Sequence, residues 1–205
     1  MNDIEFAALL VSRVCHDLVS PVGAVVNGLE VLEDERDAAM RADALKLVAS
    51  SAGQAAARLQ FARLAFGAAG SAGASLDLSE VGRVVKGLVE GSKVSVDWQA
   101  APLNWPKDWA KLLMNAALLV ADCLPRGGRV SVETSSDPNA PAFIVRAIGT
   151  NARMLEEIEH AARGENGGTL DGRSIQAFLT HKLARSLDVK LAFTAAEGQV
   201  EIAAR

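Results

Sequence analysis

Two runs of apolar and small residues, each stepping by three and four along the chain, constrain this sequence more than anything else in it. The first lies between Asp3 and Asp34 and reads Ala7, Val11, Val14, Leu18, Pro21/Val22, Val25, Leu29 and Leu32. The second reads Leu45, Val48, Ala52, Ala55, Leu59, Ala62 and Phe66. Such spacing lines up one face of an α-helix. The charged turn Asp34-Glu35-Arg36-Asp37 lies between them, which predicts an antiparallel helical hairpin. One hairpin cannot hide the apolar surface on both of its sides. The expectation is a homodimer whose two hairpins form a four-helix bundle, with the alanines of the second helix allowing close approach.

The small-residue stretch from Gly67 to Ser75 then reads as a linker, and the pattern beyond it is mixed. Helices are expected from Ser79, as cap, to about Glu90, from Pro106 to Cys123, near Ala152–Ala162 and over Arg173–Leu187. Strands are expected over Lys93–Trp98, Arg129–Thr134, Ala142–Ile148, Val189–Thr194 and Gln199–Ala203, the last two closing a hairpin at Glu197-Gly198. The class is α+β. A helical hairpin (1–66) and a linker (67–75) precede an α/β sandwich (76–205) with one sheet covered by helices on one face.

Bulk properties narrow the function. A net charge of −4 over 205 residues offers no basic face for a phosphate backbone. Two cysteines, Cys15 and Cys123, make neither a disulfide framework nor a zinc cluster. The start Met-Asn-Asp-Ile-Glu is acidic where a secretory leader would be basic, and no uninterrupted apolar run reaches about 18 residues. A soluble cytoplasmic protein is expected.

The sharpest local signal is His16-Asp17-Leu18-Val19-Ser20-Pro21. At 100° per residue His16 lies about 200° from both Val14 and Leu18, so its imidazole must face water. A lone exposed histidine is ordinarily just a solvated side chain, but three details argue for more. Asp17 can orient an imidazole and raise its basicity. Pro21 costs the helix a backbone hydrogen bond at this place. The face continuing from His16 carries Arg13, Ser20, Gly23, Ala24 and Asn27, short side chains beyond Arg13, leaving room for another protein's helix. His160 and His181 lack any such context and read as structural or solvated. The tryptophans Trp98, Trp105 and Trp109 read as core or anchors.

His16-Asp17-Leu18-x-x-Pro21 resembles the H-box of the dimerisation and histidine-phosphotransfer domain of sensor histidine kinases. In those kinases a linker leads to a Bergerat-type ATP-binding domain, so the likeness extends along the chain. The nucleotide motifs of that domain are mostly missing. Lys111-Leu-Leu-Met-Asn115 followed by Pro125-x-Gly127-Gly128 is similar to the N-box, but Lys111 stands where a second Asn or Glu is usual. Ala147 stands for the adenine-reading Asp, Asn151 for a glycine, and the segment from Gly172 to Phe178 holds no Gly-x-Gly pair. Without that carboxylate and the glycine cradle, ATP binding is not expected.

An intact H-box beside disabled nucleotide motifs resembles the ChpT-type histidine phosphotransferases of alphaproteobacteria, as does the helix start Ile175-Gln176-Ala177-Phe178. The resemblance covers essentially the whole chain. It implies phosphoryl transfer from the receiver domain of a hybrid histidine kinase to His16, then to response-regulator receivers. Asp17 would assist, and Arg13 would offset phosphate charge. No intrinsic cofactor or metal is implied, Mg²⁺ being supplied by the receiver, and neither nucleic acid nor membrane is a partner. Two other readings are an ATP-dependent histidine kinase with a divergent nucleotide site and a regulator that docks two-component proteins without carrying phosphate.

Overall fold

The computed structural model describes residues 1–67, 74–89, 93–165 and 170–205; the middle of the expected linker, 68–73, lies outside them. Helix α1 (Asp3–Asp34) opens with a capping box in which Asn2 and Glu5 each accept the other's backbone N–H at 2.9 Å. Helix α2 (Ala38–Ala65) is capped by Asp37, which accepts from the N–H groups of Ala39 and Met40 at 3.0 Å. Across the turn Arg41 donates to the carbonyls of Leu32 (2.5 Å) and Glu35 (2.9 Å), satisfying oxygens the end of α1 leaves free. The charged tetrapeptide therefore both ends one helix and starts the next.

The hairpin is closest at Gly28. A Cβ there would sit 2.6 Å from Cγ2 of Val48, beside the buried Ala44, so a side chain at this position would push the helices apart. The apolar runs prove broader than the seam between α1 and α2. Pro21 and Gly28 are buried and Val14, Leu18, Val25 and Leu32 are half-buried. Ile4, Val11, Val22 and Leu29 stand exposed, as do Leu45 and Leu59 of α2. On the helical wheel those four α1 residues fall within about 20° of one another, a second stripe with no cover in the single chain. By length and composition alone α1 is within the range of helices that could cross a bilayer, and little of its most apolar stretch is buried. That qualifies the expectation drawn from uninterrupted runs. Arg13, His16 and Asp17 lie along the same helix.

The second unit comprises β1 (Ser75–Asp77), α3 (Leu78–Val89), β2 (Val94–Gln99), β3 (Asn104–Pro106), α4 (Lys107–Ala121), β4 (Gly128–Thr134), β5 (Phe143–Ile148), α5 (Glu156–Arg163), α6 (Ile175–Ser186), β6 (Leu191–Ala196) and β7 (Gln199–Ala204). Its five-stranded sheet has the order β2-β4-β5-β7-β6, parallel between β2 and β4 and antiparallel elsewhere. In β5, Phe143, Val145 and Ala147 face the helices and are buried. Arg146 on the opposite face pairs with Glu133 of β4 and, at 2.6 Å, with Glu201 of β7. The alternation that sequence reasoning relies on is thus realised by one apolar and one ion-paired face.

Three local expectations change. Asp77, not Ser79, starts α3, accepting from the Ser79 N–H at 2.8 Å. Pro106 caps α4 rather than being its first residue, because it closes the short β1–β3 pair that the sequence pattern did not suggest. Helix α5 begins at Glu156, beyond a bend that holds Asn151 at φ 63°.

Candidate functional site

The two units share one core. Phe61, Leu64 and Ala65 at the end of α2 are buried with Leu78, Val81 and Val85 of α3 and with Leu112 and Ala116 of α4. The residues that resemble the N-box lie at this junction. Asn115 donates to the carbonyls of Lys111 (2.9 Å) and Ala65 (3.4 Å), and the Lys111 ammonium donates to the carbonyl of Gly67 at 2.6 Å. Both side chains therefore satisfy carbonyls where α2 ends. Desolvation at this junction pulls the Lys111 ammonium below its ordinary range; Lys107 assists and Asp108 opposes. Ala147 is fully buried in the sheet, its methyl group part of the core.

A second junction lies at the start of α1. The Phe6 ring meets Phe178 of α6 edge-on at 6.1 Å, with the Lys182 ammonium 5.0 Å from the Phe6 centroid. Together these contacts set the α6 end of the sandwich beside the middle of α1.

His16 sits there with 86% of its side chain exposed. Its Nδ1 lies 3.3 Å from Oδ1 of Asp17. The other carboxylate oxygen of Asp17 accepts from Nε of Arg13 at 2.8 Å, and Arg13 also donates to the carbonyl of Gly172, just before α6, at 3.4 Å. Asp17 is therefore fixed from one side by Arg13 while its free oxygen addresses the imidazole. Pro21 has no N–H for the Asp17 carbonyl, so the helix is locally one hydrogen bond short beneath the site.

The rest of the expected strip is largely in place. Ser20 and Asn27 are exposed, Gly23 and Ala24 half-buried, and a Cβ added at Gly23 would meet nothing within 4 Å. Arg13 departs from it: its side chain is only 18% exposed and already engaged. A cavity of about 350 Å³ lies behind it between hairpin and sandwich, lined in part by Arg13, Asp17, Arg58, Phe61, Asp122 and Gln176. Desolvation and the nearby Asp17 charge push the Asp122 carboxyl above its ordinary value, against the pull of Arg13 and Arg58.

Sequence reasoning missed the opposite wall of the site. A groove of about 390 Å³ runs between Ser12, Arg13, His16 and Asp17 on α1 and Asp171, Gly172 and Arg173 before α6. The Asp171–Ser174 spacing is a recognisable helix-entry turn, but nothing in it signals proximity to His16. The His160 ring lies loosely beside Glu156 (3.9 Å) and Glu165 (3.7 Å), and His181 stacks on Phe178. Among the described residues no group of three or more His, Cys, Asp or Glu could hold a metal ion. Burial, with Asp122 adding, raises the Cys123 thiol to about 12, so it is no nucleophile.

Residues 78–199 match the family described as "Histidine phosphotransferase C-terminal domain". The chain belongs to the histidine phosphotransferase family. It is 37% identical to the protein phosphotransferase ChpT of Brucella abortus (strain 2308), over 95% of this chain and 92% of that protein. A solved bacterial phosphotransferase superposes with a TM-score of 0.90 at 33% identity, covering 100% of this chain and 98% of the other. A histidine kinase domain from Erythrobacter litoralis aligns at a TM-score of 0.49 and 16% identity, over 89% of this chain and 95% of that domain. For this histidine phosphotransferase the family match lies on the sandwich, whereas the exposed histidine lies on the hairpin.

Proposed function

We propose that the chain carries a phosphoryl group on Nε2 of His16 between receiver-domain aspartates, without using ATP. The observation carrying this reading is the geometry at His16: an exposed ring whose Nδ1 lies beside a carboxylate that Arg13 holds in place. With the proton on Nδ1 directed at Asp17, Nε2 keeps its lone pair. That lone pair forms the N–P bond as the P–O bond to the receiver's aspartate breaks and its electrons leave on that carboxylate. The ring gains positive charge, which Asp17 offsets. A second receiver's aspartate then attacks the same phosphorus and the N–P electrons return to the imidazole. Such a transfer needs alignment and charge neutralisation above all, and Mg²⁺ bound in the receiver's acidic pocket supplies part of the latter.

The donor is the receiver of a hybrid kinase and the acceptors are response-regulator receivers, docking along Ser20, Gly23, Ala24 and Asn27. The exposed stripes of α1 and α2 pair two copies into a four-helix bundle in the cytoplasm, each stripe buried in the bundle core rather than against lipid. Incubation with a labelled, phosphorylated receiver should place acid-labile phosphate on this chain and none on a His16→Ala variant. Direct labelling from ATP would make it a kinase instead. Receiver binding without label would make it a docking regulator.

A further inference from the structure

We infer that Arg173, contributed by the sandwich, is the cation that meets the phosphoryl group at His16, so that the transfer site is built jointly by both units. The inference rests on His16 as phosphoacceptor and names a second residue for that reaction.

A phosphoryl group in flight spreads negative charge over three oxygens, and N–H donors aimed at it stabilise it. On α1 the cation nearest His16 in sequence is Arg13, but its Nε donates to Asp17 and its NH1 to Gly172. Its charge is matched by Asp17. Across the groove Arg173 lines the same space as His16. It is exposed, and among the described residues its guanidinium makes no hydrogen bond or ion pair. Five N–H donors therefore remain available to a ligand.

The turn carrying Arg173 is fixed. Oδ1 of Asp171 accepts from the backbone N–H of Arg173 (2.9 Å), the N–H of Ser174 (2.8 Å) and the hydroxyl of Ser174 (2.9 Å). Those hydrogen bonds, with the nearby Arg173 charge adding, hold the Asp171 carboxyl below its ordinary range, so most of that charge is spent on the loop's own donors. Ser174 is buried, and Gly172 offers its carbonyl to Arg13. One short turn thus anchors the arginine that holds Asp17 and presents a free arginine to the groove. The Phe6–Phe178 contact keeps α6 against α1 at the same end.

The test compares wild type with Arg173→Ala, Arg173→Lys and Arg173→Glu, using transfer from a labelled phosphorylated receiver at saturating and sub-saturating concentrations. At low ionic strength Arg173→Ala should lose about tenfold in the saturating rate, corresponding to about 1.4 kcal/mol of transition-state stabilisation. Half-saturation should stay unchanged, Arg173→Lys should recover part of the rate and Arg173→Glu should be slowest. Added salt should narrow the gap, because the guanidinium is exposed to screening. Melting temperatures should match across the set. Wild-type saturating rate in Arg173→Ala would overturn the inference while leaving His16 in its role. A change confined to half-saturation would also overturn it, making Arg173 a docking contact. If wild type takes no label on His16, the phosphotransfer reading falls and this inference with it.

Discussion

Nδ1 of His16 lies 3.3 Å from Oδ1 of Asp17, and Oδ2 of the same carboxylate accepts from Arg13 at 2.8 Å. The pair divides the imidazole into a held nitrogen and a free one. Replacing Asp17 with Asn keeps an oxygen at this place but removes the charge. Losing a hydrogen bond to a charged partner is worth about 1.5 kcal/mol, so phosphoryl transfer should slow on the order of tenfold. Asp17→Ala should be slower still and His16→Ala inactive, with receiver affinity nearly unchanged in all three. Rapid-quench transfer kinetics beside a binding titration check this.

Gly23 offers the cleanest test of the docking strip. Because an added Cβ there meets nothing within 4 Å, a large residue such as Trp should leave the fold intact. It should hold a receiver helix away from His16, and displacement by 1 Å can cost on the order of a hundredfold in rate. Receiver affinity and transfer rate should both fall while the melting temperature stays. Unchanged values would move docking elsewhere, for instance onto the sandwich.

Leu59 of α2 is half-exposed, flanking rather than filling the seam where Val48 meets Gly28. Leu59→Glu should therefore spare the hairpin and dissociate the proposed dimer. Light scattering should show half the wild-type mass at micromolar concentration, with far-ultraviolet circular dichroism unchanged. The half-buried Val25 is a less discriminating position, since a charge there would also disturb the seam.

Asn115 ties α4 to the end of α2 through the Ala65 carbonyl. Asn115→Ala should leave buried carbonyls short of a donor and destabilise the protein by about 1–3 kcal/mol. Chemical denaturation provides the measurement. An unchanged midpoint would show that Asn115 does not bind the two units together.

His181 should make stability depend on pH. Desolvation, chiefly, and the charges of Arg185 and Lys182 pull its ring below the ordinary value of 6.5, against a backbone hydrogen bond with Ala162. Just below 6.5 the unfolded chain takes up a proton that the folded chain refuses, so stability falls with acidification. Above 6.5 the contribution is fully present. His181→Phe should flatten the melting temperature across this window. An unchanged slope would assign it to another group.

Much of this was readable from residues close together in the chain. Val14, His16 and Leu18 share two turns of one helix, so the outward direction of the imidazole follows from 100° per residue alone. The strand expected over Ala142–Ile148 likewise forms as β5, with Phe143, Val145 and Ala147 inward. The H-box and the missing nucleotide motifs are spelled in short segments. Capping was less legible, since Asp77 and Ser79 are both good caps and only the β1–β3 pairing chooses between them.

The spacing of apolar residues by itself determined the hairpin, the face bearing His16 and the change to a sheet-containing unit, because periodicity is a local property of the chain. Tertiary structure decided which stripe is seam and which is left uncovered, since one helix can be apolar over more surface than one neighbour hides. It alone engaged Arg13 with Gly172, a partner 159 residues away, and put Arg173 opposite His16. Contacts at such separation arise from how α6 packs against α1 through Phe6 and Phe178, and no local pattern encodes that docking.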